Sequence, residues 1–379
     1  MMKTKRFSVL SIILTAALSV LVTLGAVALT IWLLLGSSGL AIASGAAYIN
    51  TRFVGEYDPD AMADAALNAM VESLGDRWSY YMDAESYAAS QLRHENAYVG
   101  IGVTVTYEED GLHVQSVVEG GPAEAAGLLA GEIITAVDGN ALTGEVTEES
   151  IQYRSSLIQG EEGTQAELTV LDADGAARQV MITRARIKSD PVTCELLEEN
   201  VGYVALSNFY RGSADYVKAA VEELLDQGAV SLVFDMRDNP GGYLSELTDL
   251  LDYLLPEGAI FRSGDRSGPK KTVTSDADCV DVPMAVLVNG NTYSAAELFA
   301  AQLQESVGAV IVGQPTFGKG YSQQTFLLPG GRGLNISTKT YYTGAGVSLI
   351  GTGLTLDIEV EQTGGEDAQL AAAVASLTA

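Results

Sequence analysis

Residues 284–328 read MAVLVNGNTYSAAELFAAQLQESVGAVIVGQPTFGKGYSQQTFLL, and this stretch predicts the fold around it. It opens with a strand-length apolar run, 284–288, followed by turn residues at 289–291. From Ser294 apolar residues recur at helical spacing, and a second apolar run, 309–312, leads into a Gly-rich loop that ends at Gly320. The chain then returns to an extended pattern. Strand, helix, strand and loop in this order predict an α/β layer.

Three side chains of this stretch suit nucleophilic or acid–base chemistry. Ser294 lies where the predicted strand turns into the helix, so an anion formed on it would face the positive end of the helix and free backbone N–H groups. Lys319 lies in the Gly-flanked loop between two predicted strands. If the chain is extended there, side chains at 319, 321 and 323 share one face, which favours Gln323 over Gln324 as the neighbour of Lys319.

Each motif also has a simpler interpretation. Ser294 and Glu297 form an S-x-x-E pattern, which is a capping box at a helix start. Residues 313–319 match G-x-x-x-x-G-K, the start of a phosphate-binding loop. Gly320, however, stands where that motif needs Ser or Thr, and a strand-like segment follows where a helix should begin. The nucleotide interpretation is therefore disfavoured.

In type, order and spacing, Ser294, Lys319 and Gln323 resemble the site residues of the C-terminal processing (tail-specific) peptidases. These are PDZ-containing serine proteases that use a Ser-Lys pair with a supporting Gln, and the resemblance covers nearly the whole chain after residue 45. It implies catalysis without a metal or another cofactor. Lys319 would act as a neutral amine, so burial must lower its pKa from the ordinary value of about 10.4.

A second shared segment is DMRDNPGG, residues 235–242, which borders the active site in that family. The resemblance implies an oxyanion hole formed by the backbone N–H groups of Ala295 and Gly241, with Gly242 as the alternative to Gly241. Taken without the resemblance, the two glycines indicate a tight turn.

The N-terminal segment predicts a membrane anchor. No charged residue occurs between Arg6 and Arg52, and residues 9–35 are almost wholly apolar, which is long enough to cross a bilayer. Lys3, Lys5 and Arg6 precede this run and place the N-terminus in the cytoplasm. We therefore expect residues 1–36 to be a cytoplasmic tail and transmembrane helix, and the rest to be extracytoplasmic. The alternative is a cleaved signal peptide, whose apolar core is usually about 7–15 residues long.

The charge of the remaining chain excludes several partners. Beyond the N-terminal tail, 18 basic residues stand against 49 acidic ones, a net charge of −31, which argues against binding nucleic acid or anionic lipid. Cys194 and Cys279 predict either one disulfide or two buried thiols. The two histidines, His94 and His113, are expected on an ordinary surface helix and a strand, and no Cys/His cluster predicts a metal site.

Residues 96–187 resemble a PDZ domain, most specifically in GPAEAAGL at 121–128 and GEIITAVDGN at 131–140. In this interpretation the backbone N–H groups of Gly100, Ile101 and Gly102 receive a peptide C-terminal carboxylate, and the tail adds as a strand beside residues 103–106. The alternative is a PDZ module kept as a spacer or regulatory lever.

The complete prediction is an α+β multidomain chain. Its parts are the N-terminal transmembrane helix (1–36), a helical region (45–95), the β-rich PDZ domain (96–187) and an α/β protease core (188–379). The helical region is expected either to pack against a second copy and form a homodimer, or to form a helical lid that packs on its own chain. The predicted function is a membrane-anchored extracytoplasmic serine endopeptidase acting on protein or peptide substrates with accessible C-terminal tails. The alternative is a catalytically silent PDZ-bearing binding or scaffold protein.

Overall fold

The computed structural model describes residues 9–265, 268–362 and 365–378. They divide into two compact units, the first ending at Ser73 and the second beginning at Leu74. The first unit consists of helices α1 (Val9–Arg52) and α2 (Pro59–Glu72).

Helix α1 continues past the predicted end of the anchor at residue 36. Gly36 interrupts its helical geometry with φ 63° and ψ −173°, and the helix then runs on to Arg52. Within the described residues α1 is the helix that is long and apolar enough to span a membrane. Its position near the N-terminus fits an anchor and a signal sequence equally.

The second unit begins with a short strand and a helix, followed by a β-rich part. Its elements are β1 (Tyr80–Met82), α3 (Ala84–His94), β2 (Ala97–Gly100), β3 (Val103–Glu108), β4 (Gly111–Val117), α4 (Pro122–Ala125), β5 (Ile133–Val137), β6 (Asn140–Ala141), α5 (Glu148–Ile158), β7 (Gln165–Leu171), β8 (Ala177–Thr183) and β9 (Ala185–Lys188).

Strands of this part form an antiparallel sheet in the order β3-β4-β5-β7-β8, with β6 beside β5, while β2 pairs with β9. Burial alternates along β7, so one face of the sheet packs on a core that includes Leu112, Ile134 and Leu168. Helix α5 begins at a capping box in which Thr147 and Ser150 each accept the other's backbone N–H. Strand β3 lies at the edge of the sheet.

The remaining chain is α/β. Its elements are β10 (Val192–Leu196), β11 (Val201–Leu206), α6 (Ser213–Asp226), β12 (Ser231–Asp235), α7 (Leu244–Leu254), β13 (Gly258–Asp265), β14 (Gly268–Ser275), β15 (Met284–Val288), α8 (Ala295–Val307), β16 (Val310–Gly313), β17 (Tyr321–Leu327), β18 (Gly333–Tyr342), β19 (Ile358–Glu359) and α9 (Ala368–Thr378).

Two sheets organise this part. The first has the order β10-β11-β12-β15-β16-β19 and is parallel from β11 onward. All five residues of β12 and of β15 are buried, as expected for strands covered on both faces. The second sheet has the order β1-β18-β13-β14, with β17 also paired to β18. It therefore joins the segment before α3 to the strand that follows Lys319.

The two cysteines match neither predicted alternative. Cys194 and Cys279 are both free thiols, and both are exposed, so they are neither a disulfide nor a buried pair.

Candidate active site

Ser294 occupies a strained turn between β15 and α8. Its φ of 64° and ψ of −121° lie outside the regions that residues with a side chain normally adopt, at a cost of about 1–3 kcal/mol. The Tyr293 N–H donates to the Asn239 carbonyl at 3.2 Å, and the Ser294 N–H donates to Glu297 Oε2 at 3.1 Å. A sharp strand-to-helix turn of this kind exposes a nucleophilic side chain at a helix N-terminus.

Glu297 connects the serine turn to the lysine loop. Its carboxylate is fully buried and accepts four hydrogen bonds: from Thr316 Oγ1 at 2.7 Å, Gly318 N at 2.6 Å, Lys319 N at 3.0 Å and Ser294 N at 3.1 Å. Burial raises the pKa of Glu297, and these hydrogen bonds oppose the rise. The sequence indicated Glu297 only as part of a cap, because its bonds to the 316–319 loop depend on tertiary structure.

Lys319 is half-buried beside aromatic rings. Its Nζ lies 4.3 Å from the centroid of the Trp78 ring and 5.7 Å from that of Tyr293. Burial lowers the pKa of Lys319 from 10.5 to about 8, although the charges of Asp76 and Glu297 oppose this. The Tyr341 hydroxyl donates to the Lys319 carbonyl at 2.6 Å and fixes the backbone of the loop on β18.

Ser294 and Lys319 line the same cavity but are not hydrogen-bonded to each other. Among the described residues no bond joins Ser294 Oγ to Lys319 Nζ. Contacts of a catalytic pair are often loose before substrate binds and tighten in the complex.

Gln323 also lines this cavity, but not on the predicted alternation. Strand β17 starts only at Tyr321, and its pairing with β18 shifts register between Ser322 and Gln323. As a result Gln323 and Gln324 both line the cavity. The Gln323 amide donates to the Tyr321 carbonyl and to Ser337 Oγ, each at 3.0 Å. Within the described part of the chain no hydrogen bond links it to Lys319.

Gly241 packs directly on the serine turn. Its φ is +84°, and a Cβ there would lie 2.7 Å from Ala295 N and 2.9 Å from Ser294 Cβ, so a side chain does not fit. The Gly241 N–H donates to Asn239 Oδ1 at 2.8 Å. This contradicts the expectation that Gly241 offers a free N–H to an oxyanion.

Gly242 and Ala295 remain as candidate donors. No hydrogen bond from the Gly242 N–H occurs among the described residues, in keeping with its place as the alternative to Gly241. Ala295 is the first residue of α8, where a backbone N–H has no partner inside the helix.

The cavity has a volume of about 820 Å³ and a second wall that the sequence did not predict. Tyr87, Gln91 and His94 of α3 line it, at spacings that place them on one helix face. His94 lies on a surface helix as expected, but its half-buried side chain lines the cavity, which was not expected. Its ring lies 4.7 Å from that of Tyr210 and 5.5 Å from that of Tyr243.

Within the described residues no hydrogen bond joins His94 to Ser294. Burial, followed by the charge of Arg93, lowers the pKa of His94. These surroundings do not provide the serine-facing base that a Ser-His-Asp triad requires.

The candidate tail-binding residues, 100–102, directly precede the edge strand β3. The Ile101 carbonyl accepts the Ala123 N–H at 2.8 Å, and the Gly102 carbonyl accepts the Val118 N–H at 3.0 Å. No hydrogen bond from the N–H of Ile101 or Gly102 is found in the described chain. Gly100 belongs to β2 and pairs with Ala185 of β9.

The described residues contain one group of side chains close enough to hold an ion. It comprises Glu108, Asp110 and His113 on the β3–β4 hairpin, with both carboxylates exposed. His113 Nε2 already lies 2.7 Å from Asp110 Oδ1. None of the three lines the cavity that contains Ser294.

Comparisons with known proteins match both parts of the second unit. The sequence profile of peptidase family S41 matches residues 200–360, and that of a PDZ domain matches residues 113–172. The chain is 31% identical over 309 residues to the chloroplastic carboxyl-terminal-processing peptidase 2 of Arabidopsis thaliana, a match that covers 77% of this chain and 59% of that protein.

A bacterial relative and a solved structure extend the similarity. The chain is 33% identical over 325 residues to the carboxy-terminal-processing protease of Bartonella bacilliformis, covering 83% of this chain and 73% of that one. The photosystem II D1 C-terminal processing protease matches with a TM-score of 0.50 and 28% identity, covering 86% of this chain and 87% of that structure.

Proposed function

The chain belongs to the carboxyl-terminal processing peptidases of family S41, which are serine-type proteases, and from this premise we propose its specific reaction. It is a membrane-anchored, extracytoplasmic endopeptidase that recognises protein C-terminal tails through its PDZ domain and cleaves peptide bonds through an acyl-enzyme on Ser294. One observation carries the proposal. A serine with φ 64° at a helix N-terminus lines one cavity with a lysine whose pKa is about 8.

The reaction follows from the two side chains. Ser294 Oγ attacks the scissile carbonyl while neutral Lys319 Nζ takes the hydroxyl proton and later gives it to the leaving amine. Water then attacks the acyl ester while Lys319 Nζ takes a proton from that water. The ester bond to Ser294 Oγ breaks, Lys319 returns the proton to Oγ, and the new C-terminal carboxylic acid leaves. With a pKa of about 8, roughly a tenth of the lysine is neutral at pH 7, compared with about one part in 3,000 at a pKa of 10.5.

Two backbone N–H groups are proposed to stabilise the oxyanion. Ala295 N–H lies at the start of α8, and Gly242 replaces Gly241, whose N–H is engaged by Asn239. Each such donor is worth about 3 kcal/mol in the transition state. Gln323 is proposed to support the lysine through its amide oxygen once substrate binds, while its Nε2 donates to Ser337 Oγ.

Tail recognition is proposed at the outer edge of β3, next to α5. The free N–H groups of Ile101 and Gly102 would hold the terminal carboxylate, and the tail would pair with residues 103–106. Tyr107 of β3 hydrogen-bonds Ser155 of α5, and Arg154 donates to the Glu108 carbonyl at 2.8 Å. These bonds close the far end, leaving an edge of about four residues, or roughly 13 Å.

The anchor is proposed to be α1, with Lys3, Lys5 and Arg6 on the cytoplasmic side. A cleaved signal sequence is the competing assignment. The apparent mass of the mature protein in its own membrane distinguishes the two, because cleavage near residue 43 would remove over a tenth of the chain. The domain bounds 96–187 and 188–379 and a homodimer through residues 45–95 stay predictions.

The proposal is tested with the full chain in detergent micelles. An unfolded reporter protein ending in four small apolar residues is compared with the same reporter ending in two Asp residues. We expect cleavage of the first reporter only, and no cleavage by Ser294→Ala. Ser376→Ala, a serine on α9 whose hydroxyl donates to the Ala373 carbonyl, serves as the control.

Other outcomes separate the alternatives. Cleavage by Ser294→Ala would refute the nucleophile, and equal cleavage of both reporters would refute tail recognition. If the wild type binds the apolar tail without cleaving it, and a fluorophosphonate fails to label Ser294, the chain is a PDZ-bearing binding protein and the endopeptidase proposal is wrong.

A further inference from the structure

Residues 76–82 precede α3 and carry no role in the reaction as described above. The structure fixes them on β18. Residues 80–82 form β1 and pair antiparallel with 333–335, Asn335 Nδ2 donates to the Trp78 carbonyl at 3.2 Å, and the Ser337 N–H donates to Ser79 Oγ at 3.0 Å. Because β17 pairs with the opposite edge of β18, this segment is held one strand away from the strand that follows Lys319.

The Trp78 ring lies at the centre of an aromatic cluster around Lys319. Its centroid is 4.3 Å from Lys319 Nζ, 5.2 Å from the Phe317 ring and 6.1 Å from the Tyr293 ring. Phe317 comes two residues before Lys319, and Tyr293 comes one residue before Ser294. The indole therefore contacts both loops that carry the proposed reacting groups.

We propose that Trp78 is a positioning residue for Lys319, holding the amine against its indole face and excluding water from it. This inference rests on the proposed function, in which Lys319 is the base. The indole has two opposing effects. Its bulk disfavours the charged amine by burial, whereas its π face attracts an ammonium. Burial lowers the pKa of Lys319 to about 8 against the charges of Asp76 and Glu297, and the Trp78 ring is part of the cover over the amine.

Other charged and titratable groups face this cluster. Asp76 and Glu297 favour the ammonium. Burial of Asp76 raises the pKa of this carboxyl, but hydrogen bonds from Ser79, Ser337 and the Trp78 N–H lower it by more. The Asp76 carboxylate therefore keeps its charge around pH 8. Burial raises the pKa of Tyr293, which stays neutral there. The Arg77 guanidinium lies 4.9 Å from the Trp78 centroid.

Two further groups complete this set. Burial also raises the pKa of Tyr341, whose hydroxyl donates to the Lys319 carbonyl. His94 lines the same cavity, and its lowered pKa keeps it neutral near pH 8. Lys319 is therefore the group of this cluster that we expect to titrate between pH 7 and 9.

Three substitutions separate the effects of the ring. Trp78→Phe keeps an aromatic face and should leave the pKa of Lys319 near 8. Trp78→Leu keeps apolar cover but removes the π face, so the pKa should fall. Trp78→Ala admits water, so the pKa should rise toward 10.5. A full return to 10.5 would reduce the neutral amine at pH 7 by about 300-fold.

The pKa is measured without relying on turnover. The full chain in detergent is pulse-labelled with acetic anhydride at a series of pH values, and acetylation of Lys319 is followed by mass spectrometry. Lys339, an exposed lysine of β18, is the control within the same digest. For each variant that cleaves the reporter, the acidic limb of kcat/KM should move with the labelling midpoint. In Trp78→Phe the labelling midpoint and the acidic limb of kcat/KM should both stay where they are in the wild type.

A fluorescence titration tests the contact itself. The chain has two tryptophans, so Trp32→Phe in α1 leaves Trp78 as the single indole. Its emission should titrate with a midpoint near 8, and Lys319→Met in the same background should abolish that midpoint. If the labelling midpoint is the same in the wild type and all three Trp78 variants, the inference is wrong. If the midpoints move as expected but Ser294 is never acylated, the inference stands and the proposed reaction fails.

Discussion

Replacing Glu297 by Gln tests whether one buried carboxylate holds the serine turn and the lysine loop together. Oε1 accepts the Thr316 hydroxyl and the Gly318 N–H, while Oε2 accepts the N–H groups of Lys319 and Ser294. Glutamine has almost the same shape but a single acceptor oxygen. Its NH₂ group must therefore face two donors, whichever way the amide is turned.

The expected loss follows from the two donors left without an acceptor. Each buried unsatisfied donor costs about 1–3 kcal/mol, so unfolding should become easier by about 2–6 kcal/mol. That is a large share of a typical domain stability of about 5–15 kcal/mol. The serine turn and the lysine loop should loosen first. A displacement of about 1 Å at reacting groups costs on the order of 100-fold in rate.

The assay combines urea unfolding with the rate at which a fluorophosphonate labels Ser294. Glu305→Gln is the matched control. Glu305 lies on the same helix and accepts the Thr343 hydroxyl and the Ala345 N–H, but it is exposed, so we expect a change of less than about 1.5 kcal/mol and unchanged labelling. If Glu297→Gln behaves like Glu305→Gln in both measurements, the reasoning from this carboxylate is refuted.

Two further predictions concern the lysine and the glycine turn. Because Lys319 is proposed to act as the neutral amine and burial lowers its pKa to about 8, kcat/KM should rise about tenfold per pH unit below 8 and level off above it. EDTA should have no effect. A plateau already reached at pH 6.5 would point to a different base. Gly241→Ala should slow the labelling of Ser294 by on the order of 100-fold, because the added Cβ would lie 2.7 Å from Ala295 N. Gly346 also has a left-handed φ, +91°, but has open space around it, so Gly346→Ala should leave the labelling rate unchanged. Equal effects would show that backbone strain alone is responsible.

The sequence predicted the fold class, and this is confirmed. The chain is a mixed α+β protein with an apolar N-terminal helix, a PDZ domain and an S41 protease core. An apolar run of strand length was sufficient for β15, whose bounds of 284–288 are those predicted, and helical spacing was sufficient for the start of α8 after Ser294. These elements are long or strongly patterned, and turn residues limit them. The pairing of β13 with β14 was not predicted, because burial does not alternate along β13 and two register shifts interrupt the pairing.

Other expectations depended on local geometry, and the structure changed them. Alternation from Lys319 failed to isolate Gln323 because a register shift interrupts β17, and sequence does not encode such a bulge in any simple pattern. Gly241 was expected to offer its N–H to an oxyanion, but this N–H donates to Asn239 Oδ1, a contact that became visible only in three dimensions. His94 lies on a surface helix as predicted, but its place in the cavity was missed because its tyrosine neighbours are distant in sequence.

The sequence by itself indicated the peptidase family, which the comparisons show, and the candidate chemistry: a serine at a strand-to-helix junction and a lysine one strand later. Only the tertiary structure decided how that chemistry is tuned. Burial lowers the pKa of Lys319, whose Nζ lies 4.3 Å from the ring centroid of Trp78, 241 residues earlier in the chain. The serine turn is bonded to the buried carboxylate of Glu297 through the Ser294 N–H. The physical reason is that burial and hydrogen bonding act through space, so groups far apart in sequence set the electrostatics of one site.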